Sequence, residues 1–313
     1  MKPDVVVNGM QMQHVMEALE RDYTLHKLHE AKDRDALLKE IAPRVRALAT
    51  GGHHGASAAL IDALPKLEII SSFGVGTDAI DVAYAKKRGV IVCNTPGVLD
   101  DDVANLATAL LLAVTRKLVA YDRYVREGRW VKEGVPPLTH TIAGAKVGLL
   151  GMGRIGQAIA ERLKVFHCDV AYHTRTPRPE LPYPHYPELV KLAADVRALI
   201  VIVPGGKETE NLVDRRVLDA LGPEGVLINI ARGSVVDEPA LVAALREGRL
   251  GGAGLDVFVD EPTVPTELFA MENVVLQPHQ GSATVETRRA MGDLMLANLT
   301  AFFAGKKLPS PLP

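Results

Sequence analysis

The sequence predicts an α/β protein made of two doubly wound parallel-sheet domains, and three observations support this fold class. The chain has 313 residues, too many for one ordinary core and suitable for two domains. Short apolar runs alternate with amphipathic stretches from end to end. The runs are apolar on both faces, which is typical of strands in a parallel sheet that helices cover on two sides.

The alternation restarts after a break near the middle of the chain, so we predict two separate sheets. The predicted strands of the first half lie at residues 5–8, 45–52, 67–76 and 90–95. The helices between them fall around Met12–Arg21, Arg34–Ala42, Ala56–Leu64 and Ala79–Arg88. The predicted strands of the second half lie at residues 146–151, 169–174, 198–204, 225–231, 252–258 and 273–278.

A long helix and an aromatic arm occupy the break. Residues 98–118 form the longest helical pattern, which three aspartates open as suits a helix N-terminus. Residues 121–144 contain the single tryptophan and a proline pair, and we expect either a dimer contact or a plain linker there. Residues 284–305 form an amphipathic helix after the last strand, and a final helix in this topology often packs back on the first unit.

Composition limits the partners and the location. A net charge of −2 gives no electrostatic footprint for nucleic acid or an anionic membrane. Two cysteines are too few for a disulfide framework, so we expect buried thiols in a reducing compartment. The N-terminus lacks an export signal and no window approaches 18 uninterrupted apolar residues. We therefore expect a cytoplasmic protein, and we predict no bound metal.

A glycine motif marks a dinucleotide site. Residues 151–156 read GMGRIG, directly after a predicted strand and before a helical pattern. Gly151 permits the tight turn, Gly153 lets the backbone approach a pyrophosphate, and Gly156 lets the helix pack close to its strand. Arg154 and Ile155 complete the predicted loop. The alternative is a glycine-rich connector of another α/β protein.

The end of the next strand predicts the type of dinucleotide. An NAD site usually has an acid about 20 residues on, at the cofactor end of this strand. Asp169 lies at the other end, so it does not qualify. The cofactor end has His173, Thr174, Arg175 and Thr176, and a guanidinium with hydroxyl groups suits a 2′-phosphate. We therefore expect NADPH, with an unliganded loop arginine as the alternative.

Three ionisable residues each follow a predicted strand of the second half. They are Arg232, Glu261 and His279. Ligands of an open parallel sheet bind outside the carboxyl ends of its strands, so all three side chains should face one crevice. Singly, each could be an ordinary surface or loop residue. Their shared placement downstream of a dinucleotide motif predicts a catalytic trio.

Six segments give the chain a specific family resemblance. They are FGVGTDAID (73–81), NTPGVLDDDVANLA (94–107), VGLLGMGRIG (147–156), INIARGSVVDEPAL (228–241), GLDVFVDEP (254–262) and PHQGSATVETR (278–288). In this order they resemble the D-isomer-specific 2-hydroxyacid dehydrogenases, and within that family the branch of glyoxylate/hydroxypyruvate and hydroxyphenylpyruvate reductases. One departure is the missing strand-end acid of the NAD-using relatives.

The resemblance implies a domain organisation and an assembly. Residues 1–96 with 284–313 would form a flavodoxin-like substrate domain, and residues 97–283 a Rossmann cofactor domain. The active site would lie between them, and the enzyme would be a homodimer through the helix and arm at 98–144.

The resemblance also implies residue roles. Arg232 would hold the substrate carboxylate, His279 would be the acid/base, and Glu261 would orient its imidazole. The amides of Val75 and Gly76 would bind the carboxylate, and Asp256 would touch the nicotinamide. Further cofactor contacts would come from other strand-end residues: Val203, Pro204, Thr209, Ile230 and Gly281.

The expected reaction is reduction of glyoxylate and hydroxypyruvate to glycolate and D-glycerate. Phe73, His53 and His54 follow first-domain strands and are candidates for the substrate wall, although they could instead be packing or solvated loop residues. Aryl-pyruvate reduction is the alternative within the family. A dinucleotide-sensing interaction protein, or an oxidoreductase acting on a non-carbonyl substrate such as phosphite, would be alternatives of other classes.

Overall fold

The computed structural model describes residues 2–52 and 54–313, which form eleven strands and twelve α-helices. The strands are β1 Asp4–Asn8, β2 Thr24–Lys27, β3 Ala47–Gly51, β4 Ile69–Phe73, β5 Ile91–Cys93, β6 Lys146–Leu150, β7 Asp169–His173, β8 Ala198–Val201, β9 Val226–Asn229, β10 Gly252–Leu255 and β11 Val274–Leu276. The helices are α1 Gln13–Asp22, α2 Arg34–Ile41, α3 Ala58–Asp62, α4 Val82–Lys87, α5 Asp100–Thr115, α6 Leu118–Arg126, α7 Arg129–Glu133, α8 Arg154–Val165, α9 Leu189–Asp195, α10 Arg215–Leu221, α11 Glu238–Arg246 and α12 Val285–Phe303.

The chain divides into two compact units. The first comprises the residues up to Leu99 together with Thr284–Pro313, and the second comprises Asp100–Ala283. The first boundary lies three residues beyond the predicted one at residue 96. Assignment of the units to substrate and cofactor binding stays a prediction at this point.

The first unit contains a five-stranded parallel sheet in the order β2-β1-β3-β4-β5. This is the predicted flavodoxin-like order, with its switch point between β1 and β3. Val5 and Val7 pack with the buried face of α12, whereas Val6 between them packs with the core on the opposite side. This alternation follows from the period of two in a strand and explains why the run is apolar on both faces.

The second unit contains a six-stranded parallel sheet in the order β11-β10-β9-β8-β6-β7. The order reverses between β6 and β8, so the glycine motif after β6 lies at the switch point, where doubly wound sheets bind ligands. The predicted class of two parallel-sheet α/β domains is confirmed. Both cysteines are buried free thiols, as expected.

The structure adds elements that the sequence did not indicate. Strand β2 was not predicted, because TLHK is short, polar and only partly buried at the sheet edge. The predicted long helix ends earlier than expected, at Thr115, and the two short helices α6 and α7 follow it, α6 beginning at Leu118 before the predicted arm and α7 lying within the arm. Across residues 2–52 and 54–313, no single helix has the length and apolarity to cross a membrane. Only α5 and α6 together pass that test, with a 58° bend between them.

Candidate active site

The glycine loop has the conformation that its residues predict. Gly151 has a φ of +106°, which a side chain would strain, and a Cβ there would lie 2.4 Å from the Ile202 carbonyl oxygen. A Cβ on Gly156 would lie 2.5 Å from the carbonyl oxygen of Gly151, so α8 packs directly on the loop. Gly153 is the exposed N-cap of α8, with open space where a Cβ would be.

This loop fits the diphosphate of a dinucleotide. Helix α8 has 12 residues, and its N-cap residue Gly153 has no side chain that could accept from the first amides. A helix N-terminus with unpaired amides and a partial positive charge attracts phosphate. Arg154 is exposed in its first turn and pairs with Asp100 at 3.2 Å, while Ile155 is half-buried beside it.

The predicted residues at the end of β7 differ in their exposure and in their hydrogen-bond partners. The His173 ring is fixed, since its Nδ1 donates to the Tyr186 carbonyl at 2.8 Å. Arg175 and Thr176 are exposed, and Thr174 donates its hydroxyl to the Thr176 carbonyl at 2.7 Å. The Arg175 guanidinium pairs with Glu208 from the loop after β8. The loop therefore offers an exposed cation, and that cation already has an anionic partner.

The remaining predicted cofactor residues follow the other strands of this sheet. Val203 and Pro204 follow β8, and Thr209 donates its hydroxyl to the Pro204 carbonyl at 2.7 Å. Ile230 follows β9 and is buried. Because all six strands are parallel, these residues share one edge of the sheet with the glycine loop. Their contacts with a dinucleotide stay predictions.

The backbone around Arg232 is held by the side chain of Asn229. Asn229, the buried last residue of β9, donates its side-chain amide to the Arg232 carbonyl at 3.0 Å and accepts from the Ala231 N–H at 3.1 Å. Gly233 lies so close to Phe258 that a Cβ would be 2.0 Å from its carbonyl carbon. The half-buried Arg232 side chain lies at the end of β9, where its Nη1 donates to the Ala231 carbonyl at 2.7 Å, and the neighbouring Gly233 contacts the segment that leads to Glu261.

Glu261 and His279 form the central pair of the site. The Glu261 Oε2 lies 2.8 Å from Nδ1 of His279, and Oε1 accepts from the Phe258 N–H at 3.1 Å. A carboxylate only accepts, so Nδ1 of His279 donates a hydrogen bond to Glu261. The two side chains are 22% and 32% exposed, which leaves the imidazole accessible.

Asp256 fixes the loop that carries the histidine. Its Oδ1 accepts from the Gln280 N–H at 2.6 Å and its Oδ2 from the Gly281 N–H at 2.9 Å. The Asp256 carbonyl also accepts from the His279 N–H, and His279 has a φ of +54°. Burial raises the pKa of Asp256, against the two amide hydrogen bonds that lower it. This positioning role was not evident from the sequence, and the nicotinamide contact stays a prediction.

In the first unit, the predicted carboxylate-binding amides lie in a loop that neutral side chains hold. Asn94 donates to the Val75 carbonyl at 2.9 Å, and the Gly74 N–H donates to the Thr95 hydroxyl at 3.0 Å. Among the described residues no protein acceptor is found for the N–H of Val75 or Gly76. Both residues are half-buried, so these donors suit an anionic ligand.

The candidates for the substrate wall have different surroundings. Phe73 ends β4 and its ring lies 5.6 Å from the Arg288 guanidinium carbon. His54 is exposed and its ring covers Gly9, where a Cβ would lie 2.3 Å from Nδ1. His53 lies outside the described residues. The predicted role of these residues in substrate binding stays a prediction.

Comparisons with known proteins give one family. Residues 108–281 match the model of the D-isomer specific 2-hydroxyacid dehydrogenase NAD binding domain. The chain is 50% identical over 294 residues to a glyoxylate/hydroxypyruvate reductase A of Arabidopsis thaliana, covering 94% of both chains. It is 54% identical over 271 residues to a hydroxyphenylpyruvate reductase of Plectranthus scutellarioides, covering 87% of this chain and 86% of that one.

A solved structure agrees with these relatives. It is an NADPH-dependent glyoxylate/hydroxypyruvate reductase from Sinorhizobium meliloti in complex with NADP and malonate. Its TM-score is 0.91 at 44% identity, and the match covers 100% of this chain and 97% of that one.

Proposed function

Since the chain belongs to the D-isomer-specific 2-hydroxyacid dehydrogenase family, we propose that it reduces small 2-oxo acids with NADPH, glyoxylate and hydroxypyruvate being the best acceptors. The products are glycolate and D-glycerate. The observation that carries the proposal is the Glu261–His279 pair, which lies on the same sheet edge as Arg232 and the glycine loop.

The geometry supports an acid role for His279 in this reaction. The bound dinucleotide supplies the hydride, which adds to the carbonyl carbon and leaves negative charge on the carbonyl oxygen. His279 Nε2 donates a proton to that oxygen, and Glu261 stabilises the positive charge that the imidazole carries beforehand. Arg232 holds the substrate carboxylate and polarises its carbonyl. In the first unit, the amides of Val75 and Gly76 are donors that suit a carboxylate.

Arg175 supports NADPH as the cofactor. Its guanidinium is exposed at the end of β7, where an acid would stand in an NAD site, and two threonines flank it. The S. meliloti relative, which is NADPH-dependent, was solved with NADP. We propose that Arg175 binds the 2′-phosphate.

A panel of 2-oxo acids tests the function. Purified protein is mixed with saturating NADPH and each acid, and the loss of NADPH absorbance gives kcat/KM. We expect the highest values for glyoxylate and hydroxypyruvate. A higher kcat/KM for 4-hydroxyphenylpyruvate than for both small acids would contradict this substrate class and favour aryl-pyruvate reduction. The Plectranthus relative makes that reaction the second candidate.

We further propose that the protein is a homodimer and acts in the cytoplasm. Residues of α6, α7 and the following arm expose apolar side chains, among them Leu118, Trp130, Val131, Val135 and Leu138. A cluster of exposed apolar residues marks an interaction surface. Sedimentation velocity would give the mass of the assembly, and a monomer at micromolar concentration would contradict a stable dimer. The two buried free thiols suit a reducing compartment.

A further inference from the structure

We propose that Glu208 sets the selectivity between NADPH and NADH by competing with the 2′-phosphate for Arg175. This inference rests on the proposed function, since it assumes that a dinucleotide binds along the edge of the second sheet. Glu208 lies in the loop after β8, whereas the predicted 2′-phosphate residues lie at the end of β7. Glu208 therefore adds a determinant of cofactor selectivity from a second loop.

The ion pair joins two loops that follow different strands. Arg175 follows β7 and Glu208 lies in the loop after β8, and these strands lie on the two sides of β6 in the sheet. Their side chains are 82% and 75% exposed, so solvent and ligands reach both partners. Thr209, the next residue, is anchored by its hydroxyl to the Pro204 and Gly206 carbonyls, which limits how far this part of the loop can withdraw.

The pair has opposite consequences for the two cofactors. A 2′-phosphate brings about two negative charges at neutral pH, so it must displace Glu208 from Arg175 and then tolerate a carboxylate nearby. The 2′-hydroxyl of NADH is neutral and leaves the pair intact. It can also donate a hydrogen bond to Glu208, which thereby replaces the acid that β7 lacks. Glu208 thus lowers the affinity for NADPH and preserves that for NADH.

Calorimetric binding of two adenosine probes tests the proposal without any turnover. Adenosine 2′,5′-bisphosphate reports the 2′-phosphate, and 5′-AMP reports the same adenosine without it. We expect E208Q to tighten the bisphosphate about two- to fivefold, the range that an exposed ion pair supplies, and to leave 5′-AMP unchanged or weaker. In an R175A background, E208Q should give no further tightening of the bisphosphate, since the competition requires the guanidinium.

Glu210 provides the matched control. It is an exposed acid two residues along the same loop, so E210Q changes the net charge equally. Equal tightening by E210Q and E208Q, or no change with E208Q, would overturn the role of Glu208 while leaving the proposed function in place. Wild-type protein that binds neither probe, yet is folded by circular dichroism, would remove the proposed function and this inference together.

Discussion

The loop that carries His279 in the second unit and the loop that carries Val75 and Gly76 in the first unit are held by different kinds of side chain. At the edge of the second sheet, ionisable side chains hold the loops: Glu261 binds His279 and the Phe258 amide, and Asp256 binds two further amides. At the edge of the first sheet, the neutral side chains of Asn94 and Thr95 hold the loop with the predicted carboxylate-binding amides. The same fold class thus carries an ionisable pair at one edge, where we propose proton transfer, and backbone donors at the other, where we propose anion binding.

Replacing His279 should have the largest effect. H279A removes the proposed proton donor at the ionisable edge, so we expect kcat to fall about 100- to 10,000-fold, the contribution typical of general acid–base catalysis. NADPH binding, measured by fluorescence, should remain within about twofold, because the glycine loop and Arg175 follow other strands, β6 and β7. H140A is the control, since His140 is an exposed histidine of the arm. A fall in kcat below tenfold would remove His279 from proton transfer.

Replacing Glu261 should have a smaller effect, which falls mainly on kcat. E261Q retains an acceptor for the Phe258 amide but removes the negative charge beside Nδ1. We expect kcat to fall about 10- to 100-fold, part of what His279 contributes. Glutamine can present an amide N–H to Nδ1, and an N–H does not accept, so the imidazole of His279 loses its orienting partner and kcat should fall more than KM rises. A kcat equal to that of the wild type would contradict the role of the pair.

Replacing Thr95 tests the neutral edge. T95V removes the hydroxyl that accepts from the Gly74 N–H and should loosen the loop of Val75 and Gly76. We expect KM for the 2-oxo acid to rise about three- to tenfold, the value of one hydrogen bond, with little change in kcat. T95S keeps the hydroxyl and should restore KM. A change of kcat with an unchanged KM in T95V would contradict a role of this loop in substrate binding.

The smallest effect concerns a thiol beside that loop. Burial raises the pKa of Cys93 from 9.0 to about 11, so ionisation of this thiol opposes folding. Its contribution to stability is fully present below pH 9.0 and is lost as pH rises through about 11. C93A should therefore lose less stability than the wild type over this range. Denaturant midpoints at a series of pH values give the comparison, and parallel curves for the two proteins would contradict it.

The elements that could be predicted are those marked by a pattern within their own segment of the sequence. Ten of the eleven strands follow from apolar runs, and the glycine motif specified its own turn, since Gly151 and Gly156 leave no space for a side chain. Strand β2 could not be predicted, because a short polar edge strand is stabilised by its neighbour β1 and not by its own pattern. Its existence depends on a pairing partner that lies elsewhere in the sequence.

The candidate site shows the same limit. The strand-end rule brought Arg232, Glu261 and His279 to one edge, because it depends only on parallel topology. The partners of these residues could not be predicted: the Phe258 amide, the Asn229 side chain and the role of Asp256 depend on how each loop folds back. The Arg175–Glu208 pair joins loops 33 positions apart and left no local signal.

The split composition of the first unit sets an order for its folding on the ribosome. Helix α12 supplies Met295 and Leu299 to that unit's core, Ser71 donates its hydroxyl to the Met295 carbonyl, and Leu312 donates its N–H to the Val92 carbonyl. A nascent chain ending at Ala283 contains the whole second unit but lacks these contacts. Domains usually fold in the order of synthesis. Here the residues up to Leu99 are synthesised first, but their core is complete only after Thr284–Pro313 has been synthesised. Until α12 has been made, the face of β4 that this helix covers in the folded unit has no partner of its own chain.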